Sequence, residues 1–93
     1  MENKFSAFIG KRVLVTGAAG FIGSRLVQCL VEQGAAVRAF VRYTSRPEYG
    51  NLAYLPREIF ERVEMVRGNI EDYSAVDDAL DDIDTVFHLG ALI

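Results

Sequence analysis

The apolar run Val13-Leu14-Val15 leads directly into Thr16-Gly17-Ala18-Ala19-Gly20-Phe21-Ile22-Gly23, and this junction constrains the fold more than any other feature of the chain. A continuous aliphatic run fits a strand buried on both faces, as in a parallel sheet. The three glycines then fall at regular steps, in the spacing GxxGxxG rather than GxGxxG. Gly17 lets the chain turn sharply after the strand, Gly20 leaves a surface without a Cβ for a pyrophosphate, and Gly23 lets a helix pack closely on the sheet. Ala19, Phe21 and Ile22 complete the loop and open the helix, whose free N–H groups and positive end face the phosphates. A glycine trio alone is weak evidence; the strand before it and the helix after it supply the context that gives it meaning.

The rest of the chain repeats the grammar of strand, turn and helix. Lys11 to Thr16 reads as the first strand, Gly17 to Gly20 as the turn, and Phe21 to Gln33 as a helix ended by Gly34. Ile22, Leu26, Val27 and Leu30 recur at helical spacing and predict its buried stripe. Ala36 to Val41 reads as the second strand. Tyr43 to Arg57 is irregular, punctuated by Pro47, Gly50 and Pro56, and Glu58 to Arg62 reads as a short helical piece. Val63 to Arg67 is the third strand, closed by Gly68. Asp72 or Ser74 caps the next helix, which carries Tyr73, Val76, Leu80 and Ile83 at helical spacing, and Thr85 to Leu89 is the fourth strand. Strands alternating with helices imply a parallel sheet with right-handed crossovers. The expected architecture is a three-layer α/β domain of Rossmann type over residues 1–93, with strand order 3-2-1-4. It is incomplete at the strand-four edge, where a fifth strand should pair. The chain reads as the N-terminal part of a longer domain, and an apolar edge of this kind predicts marginal stability in isolation.

Composition removes several other classes of function. A chain of 93 residues allows one domain. Its net charge of -3 gives no reason to expect nucleic acid as a partner. Cys29 is the only cysteine and His88 the only histidine, so neither an intrachain disulfide nor a Cys/His metal site is expected. Asp77, Asp78, Asp81 and Asp82 read as a solvated helix face. Met1 to Gly10 lacks the apolar core of a signal peptide. No run reaches bilayer length, so no membrane is expected as a partner and the expected location is the cytoplasm.

Which dinucleotide the glycine loop takes depends on the end of the second strand. An acid there would accept bonds from the ribose hydroxyls of NAD. The sequence instead reads Val41-Arg42-Tyr43-Thr44-Ser45-Arg46. Arg38, Arg42 and Arg46 form a local basic cluster. Arg42, Arg46, Thr44 and Ser45 offer the cations and hydroxyl donors a 2′-phosphate needs. NADP is therefore expected over NAD, with Arg42 stacking on adenine or pairing with the phosphate. NAD, held by a backbone contact, is the alternative.

Together these motifs resemble the extended short-chain dehydrogenase/reductase family of NAD(P)-dependent nucleotide-sugar epimerases and dehydratases. The resemblance rests on Thr-Gly-x-x-Gly-x-x-Gly after the first strand, Gly68-Asn69-Ile70 after the third, and Val86-Phe87-His88-Leu89-Gly90-Ala91 at the fourth. The stretch Val37 to Asn51, with its Tyr49-Gly50 pair, and the closing His88 to Ile93 are similar to the nucleotide-sugar 4,6-dehydratases. The resemblance implies that Gly17, Gly20, Phe21, Ile22 and Gly23 bind the pyrophosphate. Asn69, where the family usually has Asp, would bond the adenine amino group with the Ile70 backbone nearby. Leu89-Gly90-Ala91 stands for the usual Leu-Ala-Ala against the cofactor.

The implied chemistry is oxidation at C4 of the sugar by a bound nicotinamide, loss of water across C5 and C6, and return of hydride to C6. It needs a tyrosine followed four residues later by lysine. Tyr43, Tyr49, Tyr54 and Tyr73 are followed at that spacing by Pro47, Ala53, Glu58 and Asp77. No residue of this chain can therefore inherit the catalytic role. The resemblance further implies a nucleotide-sugar substrate held by a part beyond Ile93, and a homodimer for the full-length form. The alternatives are a non-enzymatic NADP-binding redox-sensing module, a reductase of another alcohol or carbonyl substrate, and a Rossmann-like interaction domain with no ligand.

Overall fold

The computed structural model describes residues 6–42 and 49–90. After a 3-10 turn at Ser6–Phe8 come strand β1 (Arg12–Thr16), helix α1 (Phe21–Glu32) and strand β2 (Ala36–Arg42). A 3-10 helix at Gly50–Tyr54 precedes α2 (Arg57–Phe60), β3 (Glu64–Gly68), α3 (Tyr73–Ala79) and β4 (Thr85–His88). All pairings are parallel, in the order β3-β2-β1-β4. The expected Rossmann-type topology is thus present.

The unbroken run in β1 follows from burial on both faces. Val13 and Val15 pack with Val37, Ala39 and Val41 of β2 beneath α1, where Val27, Leu30 and Val31 close the layer. Leu14 and Phe40 point the other way and pack with Ala79, Val76 and Ile83. Successive strand residues face opposite sides of the sheet, so these two strands feed both cores and are apolar on both faces along most of their length, with Arg38 of β2 the interior exception.

Three local expectations need correction. The buried stripe of α1 is Gly23, Ser24, Val27, Leu30 and Val31, with Leu26 partly buried against it. Ile22 is 72% exposed, so the stripe starts one residue later, at Gly23. Helix α3 is shorter than its apolar spacing predicts. Arg38 on β2 donates to the carbonyls of Ala79 and Asp81, each at 2.8 Å, satisfying groups that a longer helix would bond internally. The chain then turns through Asp82 at φ 62°, and Tyr73 and Leu80 are left exposed. The irregular stretch contains an ordered piece, since Leu52 in the Gly50–Tyr54 turn is fully buried and Tyr49 meets the Phe60 ring edge-on.

The start of α3 follows expectation. Asp72, not Ser74, is its cap, accepting from the N–H groups of Ser74 and Ala75. Asp77, Asp78, Asp81 and Asp82 lie exposed, with Asp82 paired to Arg12 at 3.0 Å. Among the described residues no His/Cys/Asp/Glu group could hold a metal ion, and no helix is long and apolar enough to cross a membrane.

Candidate functional site

A cleft of about 290 Å³ opens at the C-terminal ends of the strands. It lies where the chain order reverses, with β2 on one side of β1 and β4 on the other. This is the switch point at which open α/β sheets bind ligands.

The wall beside β1 is made of backbone. Gly17 sits at φ +66°, and a Cβ there would lie 2.8 Å from Gly90 N and from the Leu89 carbonyl carbon. Both the conformation and the space therefore require glycine. The Gly20 N–H closes the turn on the Gly17 carbonyl at 3.2 Å. Gly20 is also the N-cap of α1, with no side chain to bond the first-turn amides. The N–H groups of Phe21, Ile22 and Gly23 have no acceptor within the helix, so an anion at this end is stabilised by them and by the helix dipole. Gly23 is buried beneath the turn, where a Cβ would strike the Gly17 carbonyl. From outside, the Asn51 N–H donates to the Ala19 carbonyl at 2.8 Å, and Gly50, at φ +52°, leaves no room for a Cβ beside Ala19. The Gly50–Tyr54 turn thus holds the glycine loop in place.

The far wall is built from β2 and β3. Arg42 ends β2 and is paired in register with Gly68. A Cβ on Gly68 would come within 3.0 Å of the Phe40 ring. Arg38 takes no part here. It pairs with Glu64 at 2.9 Å and serves the end of α3, so Arg38 does not join Arg42 at the cleft as the expected basic cluster required; Arg46 lies outside the described residues. The floor is the exit of β4. Gly90 donates its N–H to Thr16 Oγ1 at 3.0 Å, and Thr16 Oγ1 shares a 2.8 Å hydrogen bond with His88 Nδ1.

Of the residues expected from sequence, Gly17, Ala19, Gly20, Arg42, Ile70, Leu89 and Gly90 line the cleft. Phe21 and Ile22 are exposed on the first turn of α1 instead. Asn69 is also outside the lining. Its Oδ1 accepts the Glu71 N–H at 3.0 Å, which uses one of the two lone pairs of that oxygen. Thr44, Ser45, Arg46 and Ala91 lie outside the described residues. Sequence reasoning missed Phe40, Val41 and Gly68 as lining residues. Phe40 could have been found from its period-two relation to Arg42, and Gly68 from its place at the C-terminal end of a strand.

Comparison with known proteins agrees with this geometry. The family model for GDP-mannose 4,6 dehydratase matches residues 14–93. A 3 beta-hydroxysteroid dehydrogenase/Delta 5-->4-isomerase of Mycobacterium tuberculosis is 42% identical over 88% of this chain and 20% of its own length. A dTDP-4-dehydro-6-deoxy-D-allose reductase of Streptomyces is 46% identical over 89% of this chain and 25% of its own. Among solved structures, an epimerase from Methanothermobacter thermautotrophicus superposes with a TM-score of 0.78 at 36% identity, over 96% of this chain and 25% of that one. A short-chain dehydrogenase/reductase superfamily protein from Agrobacterium tumefaciens, solved with bound NAD, gives 0.64 at 34% identity over 88% and 21%. The chain belongs to the extended short-chain dehydrogenase/reductase family. It spans between a fifth and a quarter of the length of these curated relatives.

Proposed function

We propose that residues 1–93 are the dinucleotide-binding N-terminal part of an NAD(P)-dependent epimerase, dehydratase or reductase. The observation that carries this reading is the cleft at the switch point. One wall is a glycine backbone in which a Cβ at Gly17 would strike Leu89 and Gly90, and it leads into helix amides with no side-chain cap. Those features fit a pyrophosphate. Gly17, Ala19 and Gly20 would hold it together with the amides of Phe21, Ile22 and Gly23. Ile70 and Phe40 offer apolar surface for adenine, while Leu89 and Gly90 lie against the remainder of the cofactor, followed by Ala91. When bound, the nicotinamide supplies reversible hydride transfer.

Within that reading we favour NADP. Arg42 ends β2 exposed at the cleft, where a guanidinium can pair with a 2′-phosphate, and Ser45 and Arg46 follow in sequence as further donors. The bound NAD of the Agrobacterium protein is the reason to keep NAD as the second reading. A nucleotide-sugar 4,6-dehydratase or epimerase is the favoured whole-protein activity. The family model and the deoxyallose reductase support it, while the steroid dehydrogenase supports a reductase of another substrate. The nucleotide sugar, the tyrosine-lysine pair and a homodimer interface would then belong to sequence beyond Ile93, and the protein would work in the cytoplasm. Calorimetric titration of the folded chain with NADP and with NAD tests the cofactor assignment. Tighter binding of NADP is expected; equal binding, or a preference for NAD, would overturn it.

A further inference from the structure

A hydroxyl group offers one proton and two lone pairs, and Thr16 has a use for both kinds. Thr16 is 6% exposed. Its Oγ1 accepts the Gly90 N–H at 3.0 Å. The hydroxyl proton must therefore point elsewhere, and His88 Nδ1 stands 2.8 Å away. Register forces this meeting, because Thr16 and His88 are partners in the parallel β1–β4 ladder and share a face of the sheet. A proton donated to Nδ1 requires that nitrogen to be bare, which places the ring proton on Nε2.

We infer that His88 is a positioning residue for the cleft. By accepting the Thr16 proton at Nδ1 it turns a hydroxyl lone pair onto the Gly90 N–H and holds the exit of β4 against the glycine loop. The step from Gly90 to the loop is a direct backbone contact, since a Cβ on Gly17 would lie 2.8 Å from Gly90 N. Without an acceptor at Nδ1, the buried hydroxyl keeps an unpaired proton, and its best remaining orientations compete with the bond to Gly90. The effect on ligand affinity rests on the dinucleotide reading above; the relay through Thr16 does not.

The test uses the full chain, labelled for NMR, with the variants His88→Phe and His88→Asn. In the unmodified protein the ¹⁵N shifts of His88 should show a single tautomer with Nδ1 bare. His88→Phe keeps a ring but removes the acceptor, and should speed exchange of the Gly90 amide and weaken NADP binding by about tenfold each. His88→Asn places a carbonyl oxygen near the lost nitrogen and should recover most of both losses, which a purely structural role for the ring would not allow. A ring proton on Nδ1, or unchanged Gly90 exchange in His88→Phe, would overturn the relay. Faster Gly90 exchange with unaltered NADP affinity would overturn its link to the site. A relay that behaves as expected in a chain binding neither NADP nor NAD would support the positioning of Gly90 and remove the dinucleotide reading instead.

Discussion

At Gly17 two requirements coincide, a left-handed backbone and the absence of a Cβ facing Leu89 and Gly90. Gly17→Ala should therefore cost about 1–3 kcal/mol of stability, from strain and displaced backbone together. Dinucleotide binding should fall by more than that loss alone implies, because the displaced atoms line the cleft. Chemical denaturation paired with calorimetry separates the two effects. Arg42 presents the opposite case, an exposed side chain at the cleft outside both hydrophobic clusters. Arg42→Ala should weaken NADP while leaving NAD nearly untouched and the unfolding midpoint within error; equal losses for both cofactors would remove the phosphate role. Much of the site is legible at this scale because glycine spacing reports backbone geometry directly. Asn69 is not, because an exposed amide can bond its own chain as readily as a ligand, and only the geometry shows that Oδ1 goes to Glu71. Arg38 misleads for a related reason. Proximity in sequence to Arg42 hides the fact that four residues along a strand is about 13 Å, enough to carry it to the other end of the sheet.

Among the elements, the strands are legible almost to the residue: in β1 a short unbroken apolar run marks two-sided burial, and glycine or loop residues bound the others. Helix α3 is legible at its start and not at its end. Its apolar spacing continues through Leu80 and Ile83, but the helix stops where Arg38 takes the carbonyls of Ala79 and Asp81, a contact between residues some forty positions apart that no local pattern encodes. The Gly50–Tyr54 turn escapes a periodicity argument because a single buried leucine, Leu52, has no period. Two expectations follow for these elements. Asp72→Ala removes an acceptor for two amides and should lower stability by about 1 kcal/mol, whereas Ser74→Ala should change it little; urea titration distinguishes them. Leu52→Ala should cost about 2–5 kcal/mol. It should also weaken dinucleotide binding under conditions where the chain remains folded, because the turn that carries Leu52 holds the Ala19 carbonyl.

For the molecule as a whole, the weak point is β4, which among the described residues pairs with β1 alone. Val86 within it and Leu89 just after it are 43% and 44% exposed. An unpaired apolar edge templates further pairing, and a chain of this size has little stability in reserve. Val86→Lys should therefore reduce self-association of the isolated chain, measured by light scattering during storage and heating, without lowering the melting temperature by more than a few degrees. The cleft also has a consequence for how such a protein can diverge. Its β1 wall is made of main-chain atoms fitted against one another, with Gly17 meeting Leu89 and Gly90, so few substitutions there leave descendants that still fold. The β2 wall ends in Arg42, an exposed side chain outside both hydrophobic clusters. On the proposed dinucleotide reading, an exchange between phosphorylated and unphosphorylated cofactor is therefore open at the end of β2 without disturbing the loop that would grip the diphosphate.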